Sequence, residues 1–117
     1  MNNPYLDRRT SNIGEAGRKS EGRLAKKLQG RQRPASGAMV GAKGDIDLGA
    51  VLVEAKSTTA DSMTIQLDWL AKITREARAE GKTPMLTVSF VDRAGRPRHF
   101  GDWVLVRLSD VTREDDP

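Results

Sequence analysis

The sequence predicts an α/β protein of one domain, with a central mixed sheet flanked by helices. Helical and strand patterns alternate along the chain, as they do where helices cover a sheet. The segment 85–90 is apolar at nearly every position, which is typical of a strand covered on both faces. A length of 117 residues suffices for one modest hydrophobic core. We divide the chain into a flexible arm over 1–12, a domain over 13–112 and an acidic tail over 113–117.

The first predicted element is a helix over residues 14–29. Gly30 is placed as its C-terminal stop, and the preceding residues 1–12 lack hydrophobic periodicity. The apolar residues of this helix that fall on one side are Ala16, Leu24, Ala25 and Leu28.

Four strands are predicted in the rest of the chain. Residues 45–48 alternate between polar and apolar side chains, Gly49 marks a turn, and 51–56 form a second, more apolar strand. The segments 85–90 and 103–108 are the third and fourth strands. The order of helix, strands, helix and strands favours a central sheet with helices packed on it.

A long helix is predicted between the second and third strands. Asp61 or Ser62 can cap its start, and Gly81 ends it after residue 80. Trp69, like Trp103 of the last strand, falls on an apolar face and is expected in the core. The apolar stripe of this helix consists of Ile65, Trp69, Ile73 and Ala77.

The composition excludes several classes of site. Cysteine is absent, which excludes disulfides, zinc–thiolate sites and cysteine nucleophiles. The single histidine, His99, has no partner set for a nucleophilic triad and is expected at the surface. No apolar run of about 18 residues could span a membrane, and the N-terminus lacks a secretory pattern. We expect a cytoplasmic protein.

Basic residues are concentrated in the N-terminal third of the chain. Between residues 7 and 43, ten lysines and arginines stand against three acidic residues. A basic surface beside a few isolated carboxylates suits a polyanionic ligand such as nucleic acid. The alternative is an ordinary solvated helix face.

Acidic residues and a lysine are predicted to meet on one side of neighbouring strands. Residues two apart in a strand share a face, so Glu54 and Lys56 project together, as do Asp45 and Asp47 on the preceding strand. Converging carboxylates repel each other unless a cation lies between them, and hard oxygen ligands favour Mg²⁺ or Mn²⁺. A lysine there can orient a water or offset charge on a phosphate. The alternative is a surface ion pair.

These residues occur in a familiar order. Glu21, Arg33-x-x-Ser36-Gly37, Gly44-Asp45-Ile46 and Glu54-Ala55-Lys56 are followed by an amphipathic helix and an apolar strand. This order resembles the PD-(D/E)XK nuclease superfamily, and within it the archaeal-type and phage Holliday junction resolvases. The similarity runs from residue 18 to residue 90 and implies a restriction-endonuclease-like αβββαβ core. One departure is that Lys43-Gly44, rather than a proline, precedes the aspartate.

The resemblance implies a role for each matching residue of the site. Asp45 and Glu54 would hold Mg²⁺, with Mn²⁺ as a substitute, together with the backbone carbonyl of Ala55. Lys56 would act on the nucleophile or the transition state. Glu21 would complete the metal site or position a metal-bound water, although it could be an ordinary helix-surface acid. Asp47 remains a rival of Asp45, which the Gly-Asp-Ile match favours.

The resemblance also implies DNA contacts and an activity. Arg33 and Ser36 match positions that contact phosphates in resolvases, although Ser36 could simply turn the chain. The function implied is cleavage of branched DNA by a homodimer, because two cuts need two active sites. A nicking or exonucleolytic nuclease, a non-catalytic nucleic-acid-binding module and an unrelated protein with surface ion pairs are the alternatives. Further DNA contacts are assigned to Arg18, Lys19, Lys43 and Gln66.

Overall fold

The computed structural model describes residues 4–33 and 45–114, with side chains from residue 14 onward. It confirms an α/β protein built on a five-stranded mixed sheet. Within the described residues, no helix is both long and apolar enough to cross a membrane. The elements in chain order are α1 (Pro4–Lys27), β1 (Arg31–Gln32), β2 (Ile46–Asp47), β3 (Val51–Thr58), α2 (Leu67–Ala79), β4 (Thr83–Val91), β5 (Pro97–Leu105) and α3 (Leu108–Thr112).

The five strands lie in the sheet in their chain order, from β1 to β5. β3 and β4 are parallel, and every other neighbouring pair is antiparallel. A parallel pair needs a long crossover connection, which α2 supplies here. The mixed sheet therefore follows from one helix placed between two hydrophobic strands.

Both faces of the central strand β3 are covered. On one face Val53 packs with Ile46 of β2 and with Leu24 of α1. On the opposite face Leu52 packs against Ile73 of α2. The alternation of the strand thus sends successive side chains into two separate clusters, one under each helix.

The N-terminal helix is longer than predicted and ends differently. It begins at Pro4, so residues 4–12 are helical and not an irregular arm. A proline suits the first turn of a helix, where its missing N–H is not needed. At the other end, Gln29 takes the left-handed conformation, with φ of 56°. Gly30 is required for a different reason, because a Cβ there would lie 2.7 Å from the Ile46 side chain.

The helix α2 begins at Leu67, with Gln66 in the cap position instead of the predicted Asp61 or Ser62. Asp61 instead forms an ion pair with Arg98, with 2.7 Å between Arg98 Nη1 and Asp61 Oδ1. Ile65 accordingly lies outside the helix and is partly exposed. The prediction of one continuous helical stripe from Ile65 was wrong at its first position.

The last strand runs from Pro97 to Leu105, earlier than the predicted 103–108. Arg107 leaves the sheet and pairs with Asp110 in α3, with 2.8 Å between Nη2 and Oδ1. Trp103 is 59% exposed, so its predicted place in the core was wrong. The reason is positional, because β5 is the edge strand and α2 packs chiefly on β3 and β4.

Candidate active site

Asp45 and Glu54 lie side by side at the start of β2 and in the middle of β3. The N–H of Asp45, just before β2, donates to the carbonyl of Val53 at 2.8 Å, one residue out of the register that pairs Val53 with Ile46. The Asp45 carboxylate accepts the N–H of Ala55 at 2.7 Å. The predicted pair of strands therefore brings the two carboxylates together on the face that α2 partly covers.

The surroundings disfavour the ionised form of both carboxyls. Burial raises the pKa of Asp45 despite the hydrogen bond from Ala55, and the charge of Glu21 adds to this effect. Burial likewise raises the pKa of Glu54, whose side chain is 8% exposed, and the charge of Asp45 raises it further. Burial also raises the pKa of Glu21, to which the charge of Glu54 contributes. These three acids thus act on one another electrostatically, as expected of a cluster.

Lys56 points to the same side as Glu54, two residues along β3. Its Nζ lies 4.6 Å from the centroid of the Trp69 ring in α2. A cation over an indole face is attracted by the negative charge of the ring face, which restricts the lysine without removing its hydrogen-bond donors. Trp69 is half-buried, so it acts as a support for Lys56 as well as part of the packing.

A second lysine, Lys72, was not singled out in the sequence. Its Nζ lies 3.5 Å from Glu54 and 3.5 Å from Glu76. Burial lowers the pKa of Lys72, but attraction to the two carboxylates outweighs it and the net shift is upward. The signal was present, because residues 69, 72 and 76 are spaced three and four apart and so share one side of α2.

Asp47, the rival of Asp45, has a different environment. Its carboxylate accepts hydrogen bonds from Lys82 at 2.8 Å, from the N–H of Gly49 at 2.8 Å and from Arg33 at 3.1 Å. The bond from Lys82 and then that from Gly49 hold the pKa of Asp47 well below its ordinary value. Asp47 thus belongs to an ion-pair network that joins β2 to the end of α2.

The same network contains Arg33, which the resemblance assigned to a phosphate. Its guanidinium bonds to Glu80 at 2.6 Å as well as to Asp47, and its side chain is only 15% exposed. In this arrangement Arg33 is directed at two carboxylates of its own chain. A phosphate would have to compete with both of them.

The other predicted DNA contacts are dispersed. Arg18 and Lys19 are exposed on α1, and Lys19 pairs with Glu15 at 3.3 Å. Gln66 is exposed immediately before α2 and makes no side-chain capping bond. Ser36 and Lys43 fall outside the described residues.

The turn between β4 and β5 carries a basic surface. Arg93 and Arg96 are both exposed there. The turn packs on α1, because Arg23 donates to the carbonyl of Gly95 at 3.3 Å. Gly95 also needs to be glycine, since a Cβ would lie 2.9 Å from the carbonyl oxygen of Ala16. The basic side of α1 therefore continues onto this hairpin.

The acidic cluster offers two carboxylates rather than a complete cage. Among residues 4–33 and 45–114, no three acidic or histidine side chains are grouped so as to hold a metal ion. Magnesium commonly uses only one or two carboxylates and keeps several waters, so Asp45 and Glu54 fit that habit. Glu21 interacts electrostatically with Asp45 and Glu54, but it does not form a group of three metal-binding side chains with them.

The chain was compared with protein-family models, with curated proteins and with solved structures, and none of the three comparisons found a match.

Proposed function

We propose that this protein is a magnesium-dependent DNA endonuclease with a restriction-endonuclease-like core. The observation that carries the proposal is the pair formed by Asp45 and Glu54, which are mostly buried, side by side, and followed on the same face by Lys56. Burying two repelling carboxylates costs stability, and a binding site for a cation is the simplest use that offsets this cost.

In this proposal, Asp45, Glu54 and the main-chain carbonyl of Ala55 hold Mg²⁺, and Mn²⁺ can replace it. When bound, the metal supplies positive charge next to the phosphate and acidifies water. Lys56, restrained by Trp69, donates a hydrogen bond to the attacking water or to the phosphate oxygen on which charge develops.

Glu21 is assigned the role of orienting a water molecule, the second of the two roles that the resemblance implies. It reaches the site from α1, and its upward-shifted pKa reflects its burial beside Glu54. A carboxyl beside a metal site can accept a hydrogen bond from water without joining the metal's own ligands.

The substrate we propose is DNA, bound along the basic side of α1 and the β4–β5 hairpin. Arg18 and Lys19 of the helix and Arg93 and Arg96 of the hairpin are exposed there. Exposed cations of this kind contact phosphates without reading sequence, which suits an enzyme that recognises DNA structure. Branched DNA is the proposed preference, in line with the resemblance to resolvases.

We also propose that two copies of the chain act together. Several apolar side chains are exposed from the end of the edge strand β5 through α3, and an exposed apolar edge is a usual place for a symmetric contact. The residues concerned are Val104, Val106, Leu108 and Val111.

The test is a cleavage assay on a four-way junction, a linear duplex, a duplex with a free end and a single strand, with Mg²⁺, with Mn²⁺ and with a chelator. The variants are Glu54→Gln and Lys56→Met, with Glu15→Gln as control because Glu15 is exposed on α1. We expect metal-dependent cleavage of the junction that the first two variants lose and the control keeps. Full cleavage by Glu54→Gln would refute the proposed site. Absence of cleavage by the parent protein would refute the proposal that it is an enzyme.

One observation favours a second candidate, a nucleic-acid-binding module of the same fold without catalysis. Lys72 already pairs with Glu54 and so supplies a positive charge where the metal would sit. If this pair is the resting partner of Glu54, binding to DNA would fall with salt, would not respond to Mg²⁺, and would leave every substrate intact.

A further inference from the structure

A cleft of about 270 Å³ opens beside the ends of β4 and β5. We call it the aromatic cleft. Its lining is unusual for a surface depression because three of its residues carry aromatic rings and a fourth is histidine. The lining residues are Asp61, Phe90, Arg98, His99, Phe100 and Trp103.

The rings of the aromatic cleft are exposed although they are large. Phe100 is 78% exposed and Trp103 is 59% exposed. The ring of His99 lies 3.9 Å from that of Phe100, at an angle of 45°. Exposed rings grouped in this way offer flat π-faces to a ligand, whereas rings that serve only the core are buried.

The backbone holds these rings outward. Phe100 has a φ of 57°, which a bulky residue rarely adopts, and the pairing of β4 with β5 shifts register between Ser89 and Val91. The indole N–H of Trp103 donates to the carbonyl of Phe100 at 2.6 Å, which fixes the two residues relative to each other. Such irregularities re-aim side chains and are frequent next to functional sites.

The aromatic cleft lies on the same face of the sheet as the proposed active site. Lys56 pairs with Val88 on β4, and Val88 pairs with Trp103 on β5, so all three project to one side. Two strand spacings separate Lys56 from Trp103, which is about 10 Å. That is roughly the length of three stacked nucleotides along one DNA strand, at about 3.4 Å each.

The charges around the cleft suit a nucleic-acid strand. Arg98 lies within it and is held by Asp61 at 2.7 Å and by the carbonyl of Ala60 at 3.3 Å, so its charge is largely balanced. Arg93 is exposed on the adjoining hairpin and can contact a phosphate, and Arg96 beside it is also exposed but pairs with Asp92 at 3.1 Å. Aromatic rings and a neutralised arginine thus line the cleft while the adjoining hairpin is basic, a combination that stacking platforms for single strands use.

We infer that the aromatic cleft receives an unpaired nucleobase of the DNA strand bound at the active site. The base stacks on Phe100 and Trp103 while the phosphate backbone continues toward Lys56. This inference rests on the proposed function and sharpens it, because it makes unpaired nucleotides near the scissile phosphate part of what is recognised.

The experiment measures binding in chelator, where no cleavage is expected, and cleavage of the same oligonucleotides in Mg²⁺. Oligonucleotides carry a 2-aminopurine in a single-stranded segment or in a duplex, and both its fluorescence and their affinity are recorded. The variants are Phe100→Ala, Phe100→Tyr, which keeps a ring, and Leu67→Ala as control, since Leu67 is 78% exposed and lies outside the cleft.

We expect Phe100→Ala to lose about 5- to 150-fold in affinity for the single-stranded probe, the range measured for removing one stacking ring. Duplex affinity should be unchanged, and Phe100→Tyr and Leu67→Ala should bind as the parent does. Equal binding of the single strand by Phe100→Ala and the parent would overturn the inference, as would an unquenched 2-aminopurine. If the protein quenches the 2-aminopurine fluorescence but cleaves none of the substrates, the base-binding cleft is supported and the nuclease proposal is rejected.

Discussion

Neutralising Glu54 should stabilise the fold while it abolishes cleavage. In the folded protein Glu54 is buried beside Asp45, and burial raises its pKa. Glu54→Gln removes one of two repelling charges at nearly constant volume. The competing effect is the loss of the pair with Lys72, which is worth at most about 1 kcal/mol because Lys72 is half-exposed. We expect a net gain of about 0.5–2 kcal/mol, typical of changes that relieve a functional site.

That gain is measurable as a change in Tm. Unfolding entropy is about 2.1 cal/mol/K per residue, so for 117 residues 1 kcal/mol corresponds to about 4 °C. Glu54→Gln should therefore melt about 2–8 °C above the parent in chelator at pH 7. Mg²⁺ at about 100 times its Kd should raise the parent by about 11 °C, from 2.7 kcal/mol of linkage, and should leave the variant nearly unchanged.

The pH dependence of the Tm is a second, independent test of whether the Glu54 charge destabilises the fold. A carboxyl with a raised pKa holds its proton in the folded state at pH values where the unfolded chain has released it. Its contribution to stability is therefore favourable at low pH and is lost as pH rises through the folded pKa. The Tm difference between Glu54→Gln and the parent should vanish below the ordinary carboxyl range and grow above it. A variant that melts below the parent at pH 7 in chelator would refute this reasoning, and Glu15→Gln should stay within about 2 °C.

Three further changes separate structure from catalysis. Asp47→Asn should destabilise the fold by about 1.5–3 kcal/mol, because the charged hydrogen bonds from Lys82 and Arg33 are lost. Its kcat should be preserved at a temperature where the variant is folded. A lower kcat there would mean that Asp47 belongs to the active site. Lys56→Met should lower kcat by about 10²–10³-fold, as measured by single-turnover cleavage, while its DNA affinity in a titration stays within twofold of the parent's. An equal loss in affinity would mean that Lys56 only binds DNA. Leu52→Ala should lower the free energy of unfolding, measured by chemical denaturation, by about 2–5 kcal/mol, since Leu52 is fully buried against α2. A decrease of less than about 1 kcal/mol would mean that this cluster is not part of the stabilising core.

The sequence was most informative about which face of a strand each side chain occupies, because side chains alternate every two residues. Alternation along β3 correctly separated Val53 and Ala55, which face α1, from Glu54 on the opposite side. The same alternation allowed both Asp45 and Asp47 as partners. The resemblance favoured Asp45, and the three-dimensional contacts show how the surroundings of the two differ, because Asp47 is bound by Lys82, a residue 35 positions away.

Contacts between distant segments were beyond the reach of sequence patterns. Lys72 was recognisable as a charge beside an apolar stripe, but its distance of 3.5 Å from Glu54 depends on how α2 crosses β3. Trp103 was read as core because its neighbours are apolar. Its exposure follows from the position of β5 at the edge of the sheet, which only the strand order reveals.

The late start of α2 connects the two proposed sites. Residues 62–66 are not helical and can span up to about 17 Å, whereas five residues of helix would span about 7.5 Å. This segment leaves the end of β3, and Arg98 holds its beginning through Ala60 and Asp61. Because the helix starts only at Leu67, it covers Leu52, contacts Lys56 through Trp69 and leaves Trp103 exposed. If DNA binds as proposed, a strand that passes Lys56 on this face continues onto the aromatic cleft.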